Sequence, residues 1–409
     1  MLPESTLNVP VLGNNWAVGL AFQIHLVLVP FIMGAAIVAP IAELLGLRAG
    51  GQFWDRLARD LVAAMIKLFS FAATWAVLAL VLLFGLYPRL FGMLTGIFFW
   101  PLVVVAGLWF VMTLSVYLYG HTWERLASRR ALHVALGVAF AASTFVFIST
   151  ITFLSSYMLT PTDPSQTAVA AVNPSWPTEI LHRHVGNLSY AGILLTAYAG
   201  AEILYFSRED GDRAYYDWLG HLGFMLGVGL ALFQPFGGWL YARQIQMASP
   251  GAYHLMMIGD NAWMFLVQTA LFGTLLFLGN LYLVFAVQRG NPGAGVVSWM
   301  RNSLWAIGLL VLLGTIPKEW PLGTMTPWKY ISLGGLVLLS ALNLALYWRS
   351  RRDFVWGRSG TGAQVTAVLL GVAIVALIVT MGIIRSSARG DYLIYDRLEP
   401  GQSQQIGQP

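Results

Sequence analysis

The sequence predicts an all-α, polytopic membrane helix bundle of about ten transmembrane helices. Three observations predict it. Of the 409 residues, 57% are hydrophobic and only 10% are Asp, Glu, Lys or Arg, against about 25% charged in an ordinary soluble domain. Apolar runs of about 20 residues or more recur along the whole chain, each long enough to cross a bilayer as a helix. The segments between them are short, and none has the composition of a soluble domain. A soluble chain of this size cannot hide that much apolar surface behind a polar shell.

The runs lie near 15–44, 60–86, 93–119, 131–157, 182–206, 218–240, 255–286, 299–317, 327–348 and 363–384. The first lacks a basic leader and a cleavage site, so it is expected to stay in the protein. Between the fourth and fifth runs, residues 158–181 carry Pro161, Pro164, Pro174, Pro177 and Trp176. Between the eighth and ninth, residues 316–329 read IPKEWPLGTMTPWK. Proline and tryptophan at this density predict either ordered structure at the membrane surface or interfacial anchors. The 42 glycines mostly occur singly within apolar runs, where they let helices approach closely. The polar tail after Tyr395 is expected to be mobile.

Lys and Arg set the predicted orientation. One set of loops carries Arg48, Arg56, Arg59, Arg125, Arg129, Arg130, Arg208, Arg213, Arg289, Arg301, Arg349, Arg351, Arg352 and Arg358. The opposite set carries fewer: Arg89, Arg183, Arg243, Lys318, Lys329, Arg385, Arg389 and Arg397. The bias places both termini outside, which in a bacterium is the periplasmic face. The absence of cysteine excludes disulfides, iron–sulfur clusters, thiolate chemistry and covalent CxxCH haem within this chain. The net charge of +5 is spread singly between apolar runs, a pattern that does not point to nucleic acid. Zinc HExxH, phosphate-loop and Ser/His/Asp signatures are absent from the sequence.

Ionisable residues inside a membrane are costly, so each one is a functional candidate. By the predicted topology His25, His182, His184 and His254 lie toward the outer side, and His121, His133 and His221 toward the inner side. Grouped outer histidines in so apolar a chain suggest axial ligands to haem iron, with Met247, Met256, Met257 and Met264 as nearby thioethers. A hydrogen-bonded interface residue is the competing reading for each histidine. Among the carboxylates, Glu43 and Glu202 fall near the inner ends of the first and fifth runs, Asp260 near the outer start of the seventh, and Glu319 in a loop. A proton relay is one reading of such a carboxylate, and a helix end reaching water is the other, favoured for Glu43. Lys67 is expected to snorkel. Arg385 and Arg389, after the last run, suit haem propionates or lipid phosphates.

Several local patterns, in order, resemble subunit I of cytochrome bd-type quinol oxidases. Ile24-His25-Leu26-Val27-Leu28-Val29-Pro30 followed by Gly34 resembles the family's first helix. Lys67-Leu68-Phe69 looks like its KLFG segment, and Trp123-Glu124-Arg125-Leu126 is similar to its WDRL. His133 falls where the family has a histidine at the start of its fourth helix. His184-Val185-Gly186-Asn187-Leu188-Ser189-Tyr190 resembles its HTVAxGY segment. The likeness covers about residues 15–240. It implies His25 as ligand to one active-site haem and His184 as ligand to the low-spin haem b, with His254 or Met264 opposite.

The departures shape what the resemblance implies. The third run, PLVVVAGLWFVMTLSVYLYG, has no carboxylate where the family carries two glutamates; Val105 and Thr113 stand there. The family's long loop between helices six and seven shrinks to about 241–254. Thr269 stands where the family has a ligating methionine, with Met264 nearby. Thr324-Met325-Thr326-Pro327-Trp328 only faintly echoes the GRQPW segment. The tenth run is extra to the family's nine.

The resemblance therefore implies a divergent member with a bd-like haem-binding region over 1–348 and an added helix and tail over 349–409. Its expected role is electron transfer, with one to three b-type haems, between an outer-side donor such as a c-type cytochrome subunit and quinone or a terminal acceptor. A homologous subunit II-like membrane partner and a bacterial inner-membrane location follow from the same likeness. The alternatives are a terminal oxidase with a rebuilt proton route, in which Glu202 or a partner serves, and a haem-free transporter or scaffold.

Overall fold

The computed structural model describes residues 7–48, 50–162, 165–207, 209–259, 262–317 and 326–398; the side chains at 167, 169, 326, 327 and 387–398 fall outside that description. Among the described residues the regular structure is helical. In order the helices are α1 (Asn14–Gly46), α2 (Gln52–Leu86), α3 (Pro88–Ile97), α4 (Phe99–His121), α5 (Arg130–Tyr157), α6 (Thr167–Ala171), α7 (Trp176–Ala201), α8 (Asp210–Ala231), α9 (Gln234–Ala248), α10 (Pro250–Met257), α11 (Ala262–Ala286), α12 (Ala294–Gly314), α13 (Thr326–Ser350) and α14 (Thr361–Leu398). Among the described residues, ten stretches are long and apolar enough to cross a membrane. Large apolar side chains such as Phe110, Leu114 and Trp305 are exposed on them, as lipid-facing surfaces require.

Breaks between helices follow backbone chemistry. Gly50, at φ 76°, turns the chain between α1 and α2, a conformation glycine adopts without steric cost. Pro88 and Pro250 open α3 and α10 at their first turns, where a missing N–H costs nothing. The sixth predicted run, 218–240, is two helices, because the chain breaks at Leu232 and Phe233 just before Pro235. The seventh, 255–286, is also divided: α10 ends at Met257 and the span proper begins at Ala262. The fifth starts six residues early, at Trp176.

The chain packs as two compact units. The first holds residues 1–184, 237–259 and 385–409; the second holds 185–236 and 260–384. In the first unit α1 packs on α2 and α5, and α4 packs on α5. Ala35, Ala36, Ala39 and Ala42 of α1 are fully buried, a small-residue face that lets neighbours come close. The proline-rich connection after α5 is tied down where it is described. Thr160 Oγ1 donates to Asn173 Oδ1 at 3.0 Å, and Asn173 Nδ2 donates to Ser156 Oγ at 2.8 Å. The Phe98 ring meets Phe153 and Tyr157 at centroid distances of 4.7 and 5.0 Å. Of the second such connection, 318–325 lies outside the described residues, as does the tail from 399.

In the second unit α11, α12 and α13 pack together around Leu276, Ile307 and Leu336. Buried amides clamp them. Asn280 Nδ2 donates to Ser340 Oγ, and Asn343 Nδ2 donates to Asn280 Oδ1 and Ser303 Oγ, each at 2.8 Å. In an apolar bundle every such group must be satisfied by the chain itself. The crossing of α7 and α8 depends on glycine. A Cβ on Gly192 would sit 2.4 Å from the Gly227 nitrogen and 2.7 Å from the Gly223 oxygen. Gly223 and Gly227 form the spacing typical of close membrane-helix contacts. Replacing Gly192 with valine should therefore push the helices apart and cost at least ~1–3 kcal/mol. The expected outcome is a lower Tm for the purified protein, with the far-UV helical signal retained below the transition.

Candidate functional site

Two of the histidines singled out in the sequence, His25 and His184, sit in the first unit. His25, on α1, is half-buried and its Nδ1 lies 3.0 Å from the Ala72 carbonyl of α2. A carbonyl only accepts, so Nδ1 carries the proton and Nε2 keeps its lone pair. This is the arrangement by which proteins orient a ligating histidine. His184 ends the unit's part of α7. Its ring stacks on Phe145 at 3.9 Å and its Nε2 is 2.9 Å from Ser149 Oγ. Ser149 Oγ also lies 2.9 Å from the Phe145 carbonyl. The hydroxyl proton goes to that carbonyl, so the serine oxygen accepts from His184 Nε2.

One turn earlier, α7 carries a charge cluster that sequence reasoning missed. Glu179 is 1% exposed and receives Arg183 at 3.2 Å, Arg385, the Ser155 hydroxyl at 3.0 Å and, on its other oxygen, the Tyr241 hydroxyl at 3.1 Å. Two guanidinium groups on one carboxylate leave one positive charge in excess. His182 stacks on Tyr241 at 6.2 Å, and Gly238 brings the backbone of α9 against its ring, 3.4 Å from where a Cβ would stand. The periodicity explains the convergence. Phe145, Ser149 and Thr152 line one face of α5, and Trp176, Glu179, Arg183 and His184 line the facing side of α7. The i,i+4 pair Glu179/Arg183 was the signal available in the sequence.

The same unit holds a second buried cluster. Glu43 is fully buried and does not reach water as the sequence suggested. His133 Nδ1 donates to it at 2.8 Å, the Tyr119 hydroxyl at 3.0 Å, and Arg130 lies 3.2 Å away while also reaching Asp55 at 2.6 Å. Helices α4 and α5 supply these partners, which a reading of α1 alone could not foresee. Lys67 is exposed on α2.

The other predicted site residues are not gathered with these. His254 is exposed on α10 and does not open the seventh span, because the chain breaks before α11. Met264 is half-buried on α11, in the second unit. The Arg389 side chain, Asp260 and Glu319 lie outside the described residues. Among the described residues, no three histidine or carboxylate side chains converge as a metal-ion site. A haem asks less of the protein, one or two axial ligands in an apolar slot.

No protein-family description matches the sequence, and no curated protein matches it. The structure is similar to the bd oxidase from Geobacillus thermodenitrificans, with a TM-score of 0.60 at 14% identity, over 91% of this chain and 97% of that chain. At that identity the likeness is one of fold. The chain is a multi-pass membrane protein with a bd-oxidase-like helical fold.

The charge cluster yields a stability expectation. Glu179→Gln leaves two partly exposed arginines without their carboxylate, and losing hydrogen bonds to a charged group costs about 1.5–3 kcal/mol. Thermal unfolding in detergent should show the loss. Tyr241→Phe, which removes one of the carboxylate's hydrogen bonds, should cost about 1 kcal/mol.

Proposed function

We propose that this chain is a divergent bd-type subunit I that bears haem b and carries electrons within a membrane redox complex. The observation that carries the reading is the His25 ring, with its Nδ1–H held by the Ala72 carbonyl and Nε2 presented as a ligand, in a chain of bd-oxidase-like fold. His184 is the second proposed ligand, to the low-spin haem, and would exchange its Ser149 contact for the iron. His254 and Met264 are alternatives for an opposite axial position. Haem supplies reversible one-electron chemistry, and the surrounding apolar helices set its potential and exclude water.

The chain's own residues do the rest. Arg183 and Arg385 exceed Glu179 by one positive charge, which suits a haem propionate; Arg389 is proposed for the same role. The third span carries no carboxylate, which favours electron transfer over proton-consuming oxygen chemistry at that helix. The electron donor is proposed to be a c-type cytochrome subunit on the outer side, since this chain has no cysteine to hold its own covalent haem. The acceptor is quinone or a terminal acceptor, and the neighbour within the membrane a subunit II-like protein. The location is a bacterial inner membrane with both termini outside.

A reduced-minus-oxidised absorption spectrum of the purified complex tests this directly. One to three b-type haems are expected. His25→Ala should remove one haem signal and His184→Ala a low-spin one, while Ser149→Ala should leave haem bound. A protein purified without any haem overturns the proposal.

A further inference from the structure

At the end of the first unit that the Lys and Arg bias places inside, each described carboxylate already has a cation. Glu43 meets Arg130 at 3.2 Å, Asp55 meets Arg130 at 2.6 Å and Arg59 at 3.1 Å, Asp60 meets Arg56 at 3.8 Å, and Glu124 meets Arg59 at 3.5 Å. Lys67 stands about two turns beyond Arg59 on α2. It is exposed, and among the described residues no hydrogen bond or ion pair reaches its ammonium. An uncompensated charge on a membrane-spanning helix is costly, so its counter-charge must come from outside the described chain.

The surroundings of Lys67 are graded along the helices. α2 packs on α4. Their register is fixed by Ser70 and Tyr117, whose hydroxyl oxygens lie 2.7 Å apart, and by Gly120, which faces Ile66 and Val62. That register sets Lys67 level with His121, the last residue of α4. His121 is exposed, and its Nδ1–H donates to the Tyr117 carbonyl at 2.9 Å. One turn deeper come the Ser70 and Tyr117 hydroxyls, and then Thr74 and Thr113. The Thr74 hydroxyl donates to the Ser70 carbonyl at 3.1 Å and the Thr113 hydroxyl to the Trp109 carbonyl at 2.8 Å, so each is satisfied by its own helix. Deeper still the surface is apolar: Val77 and Val81 of α2 are 57% and 60% exposed, and Phe110 of α4 is 72% exposed. Helical spacing puts Lys67, Ser70, Thr74, Val77 and Val81 on one face of α2, and His121, Tyr117, Thr113 and Phe110 on one face of α4. The rise from Lys67 to Val77 is about 15 Å. A cation, a band of hydroxyls and an apolar surface follow one another over that height.

We propose that this α2/α4 face binds an anionic glycerophospholipid, with its phosphate on the Lys67 ammonium, its glycerol esters against the Ser70 and Tyr117 hydroxyls, and its acyl chains over Val77, Val81 and Phe110. The order of groups on the protein is that of the lipid from headgroup to chain. Net charge selects the class of headgroup. An anionic lipid supplies the counter-charge that no described residue gives Lys67, whereas a zwitterionic lipid brings a cation of its own. The lysine ammonium is a compact point charge on a flexible stem, which suits a phosphate at the membrane surface. The site does not depend on the haem-bearing function proposed above.

The test is native mass spectrometry of the intact, delipidated protein in detergent, titrated separately with dioleoyl phosphatidylglycerol and dioleoyl phosphatidylcholine. The wild type should bind phosphatidylglycerol about fivefold more tightly, the effect of one lysine beside an anionic headgroup. Lys67→Gln should bind the two lipids alike, and Lys67→Arg should keep the preference. Lys67→Met serves if Lys67→Gln does not fold. Equal affinity of the wild type for the two lipids, or a preference that persists in Lys67→Gln, overturns the inference. So does loss of a co-purifying membrane protein from Lys67→Gln with the lipid preference unchanged, which assigns the face to a protein partner.

Discussion

In an apolar bundle a charge must find its counter-charge within the chain, since no water is at hand to solvate it. Three carboxylates in this protein obey that constraint in the same way. Glu43 meets Arg130 and His133, Glu179 meets Arg183 and Arg385, and Asp217 meets Arg289. Apart from the i,i+4 pair Glu179/Arg183, each pairing ties helices or loops that are distant in sequence. Leaving one partner unpaired costs far more than the pair contributes by itself, so these pairs fix which helices lie together. The amide clamp of α11, α12 and α13 applies the same rule with neutral groups.

The constraint also shapes what the bundle offers chemically. Side chains that would serve as ligands or relays are already held by neighbours. His25 is held through Nδ1, which leaves its other nitrogen available. His184 is held through Nε2 by a serine that has its own acceptor. His133 faces acceptors on both ring nitrogens, Glu43 at one and the Tyr119 carbonyl at the other, so it acts as a bracket between helices and has no nitrogen left for iron. The three rings are alike in sequence terms and differ through their second partners.

Much of the fold was legible in advance because helix length and apolarity are local properties. All ten predicted runs have a counterpart among the described residues, in the predicted order. What was misplaced was the detail at breaks. Pro235 splits the sixth run, and the start of α11 at Ala262 strands His254 on a separate short helix. The site was legible only in part. His25 stands out in the sequence as a lone histidine among apolar residues, while His184 stands beside His182 and Arg183, and Glu179 reads as one more polar residue of the connection before the fifth run.

The sequence by itself determined that this is a membrane bundle, how many runs are long enough to cross a bilayer, which residues are rare enough to carry chemistry, and that covalent haem has no attachment point here. Those follow from composition and from runs long enough to cross a bilayer. Only the tertiary structure decided the pairing: that Arg385, some 200 residues from Glu179 in sequence, closes on its carboxylate, that Glu43 is buried against α5, and that Gly192 lets α7 and α8 touch. The physical reason is that an ion pair or a helix crossing is a property of two surfaces at once, and a periodicity along one helix describes only its own.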